Sequence, residues 1–216
     1  CVILTPLLIP VLIRLKFGQE IREEGPAWHA KKSGTPTMGG IAIVASVIAA
    51  MILTAVAYAF NLHAVVCMTL GAALFGVVGF IDDYIKVVKK RNLGLTEIQK
   101  TIPQVVIIIG YLVALYMNGL TYMKIPFVGT VDLKWFFWLF GVAVIYGAVN
   151  AVNFTDGVDG LCASVTSVAA ISFCIAALMT KFFGISILAA ALAGGCLGYL
   201  IWNYYPSKVM MGDTGS

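Results

Sequence analysis

Apolar residues run through this chain in long blocks, and polar residues are confined to the stretches between them. The blocks fall at residues 2–13, 41–60, 64–81, 102–117, 135–152, 161–180 and 182–202. All but the first approach or reach the about 17–25 residues that carry a helix across a bilayer. The first is shorter and reads as a span without its outer turns. No block alternates apolar with polar positions as a barrel strand does, so each predicts a helix, which satisfies its own backbone where water is absent. Between the fourth and fifth blocks, residues 122–133 hold Pro126 and Gly129 and predict a small hairpin outside the membrane.

Composition sharpens this. The chain is 61% hydrophobic and 11% charged, with a mean hydropathy of +0.97, whereas a soluble domain carries about 25% charged residues. The expected class is an all-α polytopic integral membrane protein. About seven transmembrane helices form a single membrane domain over residues 1–216. The first block follows no basic n-region, so a signal peptide is not expected. Five cysteines show no CxxC spacing, and most lie in apolar blocks, where Cys acts as a small apolar side chain; neither disulfides nor a zinc site is expected. The blocks do not repeat one another, which gives no support to a transporter built from inverted repeats.

Lys and Arg orient the helices. Arg14, Lys16, Arg22, Lys31 and Lys32 follow the first block, and Lys86, Lys89, Lys90, Arg91 and Lys100 follow the third. The alternate connections carry only Lys124, Lys134 and Lys181. The positive-inside rule then places the connections at about 14–37, 82–101, 153–160 and 204–216 in the cytoplasm. Of the ten acidic residues, only Asp132 falls outside. Five aspartates from three cytoplasmic connections lie at or just beyond helix ends, which builds a site at the inner membrane surface.

Four strings carry the candidate chemistry. GFIDDYIK sets Asp82 and Asp83 side by side at the end of an apolar block, where an ionisable residue is costly to keep. If the helix continues, Asp82 and Lys86 share a face and a simple ion pair accounts for both. The second carboxylate adds repulsion that a divalent cation or a shared proton would relieve. NAVNFTDGVDGL spaces Asn150, Asn153 and Asp156 by three, and Asp159 could cap the next helix. Capping explains Asp159, but two asparagines in the last turns of an apolar span suit a nucleobase or sugar. KKSGTPTMGG leads into the second block and offers glycines and a helix start to an anion, without the spacing of a Walker A loop. MGDTGS forms a polar turn after the seventh block. With His63 on the outer side and His29 lacking an orienting carboxylate, general-base and metal work falls to aspartates. Basic loops beside carboxylates fit phosphoryl transfer.

Together these strings resemble the polyprenyl-phosphate N-acetylhexosamine-1-phosphate transferases. KKSGTPTMGG is similar to the form found in the phospho-N-acetylmuramoyl-pentapeptide transferase family within that group. The resemblance covers the whole chain. It implies a bacterial plasma-membrane enzyme of peptidoglycan synthesis with its active site on the cytoplasmic face. There undecaprenyl phosphate would attack the β-phosphate of UDP-N-acetylmuramoyl-pentapeptide, with Mg2+ as cofactor, giving lipid I and UMP. It implies Asp213 as magnesium ligand. Asp82 and Asp83 match an aspartate pair that deprotonates the lipid phosphate or helps to position metal. Asn153 and Asp156 match nucleotide-pocket positions, with Asn150 and Asp159 beside them, and Lys32 and Thr37 match a first loop near the nucleotide. Lys86 and Lys100 are expected phosphate partners. The family's ten-span fold also has a late histidine-rich loop, so this chain is expected to be a fragment, truncated at both ends. Besides membrane lipids, a homodimer is left open and no nucleic acid is expected.

Three alternatives compete with this. A UDP-N-acetylglucosamine-1-phosphate transferase would keep the chemistry and change the sugar. An ion-coupled transporter would need its ionisable groups near mid-span rather than at span ends. A structural scaffold would leave nine acids on one face without a purpose.

Overall fold

The computed structural model describes residues 1–14, 35–57, 62–89, 94–125 and 129–216. Among these, the chain forms seven helices and one two-stranded sheet. The helices are α1 (Leu4–Arg14), α2 (Gly40–Ala57), α3 (Leu62–Val88), α4 (Glu97–Met117), α5 (Phe136–Thr155), α6 (Leu161–Met179) and α7 (Phe183–Asn203). Five of them, α3 to α7, are long and apolar enough to cross a membrane, and α1 and α2 are shorter apolar helices. The chain is a multi-pass, all-α membrane protein. Against the seven expected spans, five meet the length of a full crossing.

Two helices run further than their apolar blocks. α3 continues to Val88, past the block that ends at residue 81, and so carries both aspartates and Lys86 within its last two turns. α4 begins at Glu97 because Thr96 and Gln99 form a capping box. The Gln99 amide donates to Thr96 Oγ1 at 3.3 Å, and the Thr96 amide donates to Gln99 Oε1 at 3.1 Å. That reciprocal pair satisfies two of the amides a helix start leaves open. Lys100 sits on the first turn so defined. The expected hairpin is present as β1 (Tyr122–Ile125) and β2 (Gly129–Asp132), antiparallel, with Tyr122 opposite Asp132 and Ile125 opposite Gly129.

Small residues set the tightest packing. α6 buries Cys162, Ala163, Ser167, Ala170 and Ala177, and α7 buries Ser186, Ala189, Ala193, Gly195, Cys196 and Gly198. Such side chains let two backbones approach closely where lipid offers no hydrophobic drive to helix pairing. At one end this seam widens into a core of Leu12, Met38, Ile43, Cys162, Tyr199, Val209 and Met211. A second core, Ile108, Leu112 and Phe137, joins α4 to α5 and packs against Phe75 of α3. α5 buries little besides Phe137 and turns Leu139, Val144 and Phe154 outward, as a lipid-facing helix does.

One expectation is corrected. Asp159 does not cap α6. The residue before that helix is Gly160 at φ 72°, with no side-chain cap. The Gly160 amide donates instead to Asn203 Oδ1 at 3.0 Å, while Asp159 Oδ2 accepts from the Ser207 amide at 3.2 Å. Asp159 ties the α5–α6 turn to the segment after α7.

Candidate active site

The helix ends that the basic loops assign to one side converge in space. α3 brings Asp82, Asp83 and Lys86; the start of α4 brings Lys100; the end of α5 brings Asn153 and Asp156. They close around the segment after α7, residues 209–216. That segment is held by backbone pairing with the approach to α2. The Met210 amide donates to the Pro36 carbonyl at 2.8 Å, and the amides of Gly39 and Gly40 donate to the carbonyls of Met210 and Met211 at 2.9 and 2.8 Å. Tyr199 and Asn203 secure it from α7, donating to the Val209 carbonyl at 3.0 and 2.8 Å. The polar turn expected from MGDTGS is thus seated on a buried apolar stem, Val209 to Met211.

The two adjacent aspartates do different things. Asp83, 2% exposed, accepts from the Asp213 amide at 3.1 Å through Oδ1. Through Oδ2 it accepts from the Thr214 amide at 2.9 Å and the Thr214 hydroxyl at 2.8 Å. Three donors on one carboxylate make it the anchor of the 212–216 turn. This needs close backbone approach: a Cβ at Gly79, one helical turn before Asp83, would run into the Asp213 carbonyl. At Gly212, φ is +74° and a Cβ would meet Asp83 Oδ2 at 2.6 Å and Thr37 Oγ1 at 2.9 Å. Both positions admit glycine alone.

Asp82 faces the other way. Its Oδ1 accepts from the Leu95 amide at 2.6 Å, and its Oδ2 lies 2.6 Å from Lys86 Nζ. Lys86 also reaches Asp213 Oδ2 at 2.8 Å and comes within 3.8 Å of Asp83 Oδ1. Lys100 meets Asp213 Oδ2 at 3.0 Å, and Asn153 Nδ2 donates to Asp213 Oδ1 at 2.8 Å and to Ser216 Oγ at 3.0 Å. Burial pushes the Asp213 carboxyl up. The ammonium groups of Lys86 and Lys100 outweigh that and hold it well below the usual carboxylate range. Asp213 is therefore a fixed negative charge.

Oxygens of Asp82, Asp83 and Asp213 lie within 4.8 Å of one another. Hard carboxylate oxygens so grouped suit a magnesium ion, which would take one or two of them and fill its shell with waters and phosphate. No soft ligand joins them among the described residues. The two ammonium groups that share the site with the carboxylates would suit the phosphate oxygens of a substrate.

Of the residues singled out from the sequence, Asp82, Asp83, Lys86, Lys100, Asn153 and Asp213 form one contiguous cluster. Thr37 and Asp156 flank it at Gly212, whose amide donates to Asp156 Oδ2 at 3.0 Å. Asp159 stands further off at Ser207. Asn150 does not reach the cluster: its amide group donates to the Tyr146 carbonyl of its own helix at 2.8 Å. Lys32 lies outside the described residues. Sequence reasoning missed Thr214, Ser216, the Leu95 amide and Gly94, where a Cβ would collide with the Asp82 carboxylate. Thr214 and Ser216 stood inside MGDTGS without being singled out, and Gly94 and Leu95 lay in none of the four strings.

Comparison with known proteins identifies the family. Residues 65–216 match the family model for glycosyl transferase family 4, and the chain belongs to that family and is a transferase. Residues 32–44 match the phospho-N-acetylmuramoyl-pentapeptide-transferase signature 1. Over its whole length the chain is 48% identical to the phospho-N-acetylmuramoyl-pentapeptide-transferase of Halalkalibacterium halodurans. It is 46% identical to the enzyme of that name from Bacillus subtilis and 46% to that from Listeria innocua. In each comparison it covers 67% of the relative.

Proposed function

We propose that this chain supplies the catalytic cluster of an enzyme that moves phospho-N-acetylmuramoyl-pentapeptide from its UDP donor to undecaprenyl phosphate. The products are lipid I and UMP, and the site faces the cytoplasm. The observation that carries this is the meeting of Asp82, Asp83 and Asp213 with Lys86, Lys100 and Asn153 at one end of an apolar bundle. Such a place suits a substrate whose phosphate must come to the membrane edge while its tail stays in lipid. The match to the signature over residues 32–44 favours the muramoyl-peptide donor over the N-acetylglucosamine donor.

In this reaction an oxygen of the lipid phosphate attacks the β-phosphorus of the donor, and the bond from that phosphorus to the bridging oxygen breaks. UMP leaves with that oxygen. Such transfers depend on positioning and on charge stabilisation more than on covalent help. Asp82, whose Oδ2 meets Lys86 rather than the 212–216 turn, accepts the proton of the lipid phosphate. Asp83 holds the turn that presents Asp213. Lys100, on a helix start fixed by its capping box, holds a phosphate oxygen. Asn153 fixes the Asp213 carboxylate and lies beside the nucleotide. Magnesium held by Asp213, with Asp82 or Asp83, would neutralise charge on the donor's diphosphate when bound.

The test is UMP release by the full-length protein with undecaprenyl phosphate and each donor in turn, with and without Mg2+. Turnover with the muramoyl-peptide donor that needs Mg2+ supports the proposal. Turnover with UDP-N-acetylglucosamine alone assigns the other sugar, and turnover unchanged by chelation removes the metal.

A further inference from the structure

We propose that Lys86 is the resident counter-ion of the carboxylate cluster, displaced when a divalent cation takes the same oxygens and thereby turned toward the anionic substrate. This rests on the metal reading above and goes beyond it, because it gives one side chain two positions and links them to cation binding.

The geometry points to this through the central place of one ammonium. Lys86 Nζ lies 2.6 Å from Asp82 Oδ2, 2.8 Å from Asp213 Oδ2 and 3.8 Å from Asp83 Oδ1. It is the group that bridges the carboxylates a metal would use. Asp83 is engaged by backbone amides and a hydroxyl of the turn it anchors, whereas Asp82 and Asp213 share a flexible ammonium, so those two are the ligands most available to a cation. Those are the two that Lys86 joins. Magnesium sits at about 2.0–2.1 Å from its oxygen ligands, so it and the ammonium cannot share the two Oδ2 atoms. Lys100 is placed differently. It meets Asp213 alone, at 3.0 Å, from the start of another helix, and it can stay.

Lys86 can also leave. Its side chain is 33% exposed, against 4% for that of Asp82, and its four-carbon stem is flexible, with three rotatable donors. Charge gives the displacement a consequence. Three carboxylates and two ammonium groups sum to −1, which repels a diphosphate. Adding a dication changes that sum from −1 to +1. Lys86 then loses its carboxylate partners as an anionic phosphate becomes favoured, and its ammonium moves to that phosphate. An ordinary helix-end ion pair, by contrast, would stay with Asp82 whether or not a cation is present.

The experiment uses the full-length protein in detergent micelles without nucleotide, with Mn2+ as the probe. Its binding is read by electron paramagnetic resonance for the wild type, Lys86→Met, Lys100→Met and Asp213→Asn. In parallel, the wild type is treated with an amine-reactive reagent with and without Mn2+, and labelling of Lys86 is compared by peptide mass spectrometry with that of the remote, exposed Lys134. Removing an ammonium a few ångströms from the ion should tighten Mn2+ binding by about tenfold or more in Lys86→Met. Lys100→Met should gain less. Lys86 labelling should rise with Mn2+ while Lys134 does not change, and Asp213→Asn should lose Mn2+ binding.

Equal affinity in the wild type and Lys86→Met, or Lys86 labelling indifferent to Mn2+, overturns the displacement and leaves the metal reading standing. Absence of Mn2+ binding in the wild type and in every variant overturns both. If Lys86→Met fails to fold, the labelling of the wild type still decides.

Discussion

The two ends of the helix bundle treat a carboxylate in opposite ways. At the hairpin end, Asp132 is exposed and makes the bonds of an ordinary turn, accepting from Thr121 Oγ1 at 3.2 Å and the Lys134 amide at 3.1 Å. At the other end, Asp82 and Asp83 are 3% and 2% exposed, and with Asp213 they share lysines and backbone amides drawn from separate elements. An exposed charge loses little on folding and gains little from its partners. A buried one is tolerable only where partners are already in place, and removing one partner leaves the rest uncompensated. The same functional group is therefore incidental at one end of the molecule and demanding at the other.

Substitution should widen this contrast by position. The largest effect is expected from Asp213→Ala, which removes the carboxylate shared by Lys86, Lys100 and Asn153; Mg2+-dependent UMP release should fall by about 10³-fold or more. Normal turnover in that variant would remove Asp213 from the chemistry. Asp82→Asn comes next, with a loss of about 10²-fold or more in turnover, as expected for a lost general base. Nucleotide affinity, measured by titration calorimetry, should stay close to wild type, and its loss together with turnover would make Asp82 a binding residue.

Asp83→Asn tests the division within the pair. An amide cannot accept from all three donors of the 212–216 turn, so about 1–3 kcal/mol of stability should be lost. A fall in Tm in detergent together with activity marks an anchor, whereas lost activity at unchanged Tm would give Asp83 a direct part in the reaction. Asp132→Asn should be the mildest, within about 0.5 kcal/mol and with activity retained. The same two ends give the orientation test: a cysteine at Asp132 should react with an impermeant thiol reagent only from outside the cell, and one at Glu97 only from inside.

Much of this was legible in the apolar pattern, because a span must satisfy its own backbone and so declares itself as a long block. The hairpin was legible from Pro126 and Gly129 for the same local reason. Helix ends were less so. α3 runs past its apolar block because Asp82 and Lys86 pair one turn apart, and α4 starts early because Thr96 and Gln99 cap it, neither of which hydropathy registers. At the site, GFIDDYIK and MGDTGS marked the right acids, yet nothing in their spacing tells Asp82 from Asp83. Asn150 and Asn153 are three residues apart and equally polar. One returns its amide to Tyr146 and the other reaches Asp213, a difference made by where the segment after α7 lies.

By itself, the order of residues determined that this chain is a bundle of apolar helices with its acids gathered at helix ends, since periodicity, length and charge bias act locally along the chain. Only the tertiary structure decided which aspartate anchors a turn, which shares the ammonium of Lys86, and that Gly79 and Gly212 must lack a Cβ. Those outcomes depend on residues more than 120 positions apart in the chain, such as Lys86 and Asp213 or Asp83 and Asp213, meeting at hydrogen-bond distance. No local propensity encodes that meeting, because it is the packing of α3 against the segment after α7 that brings donor to acceptor.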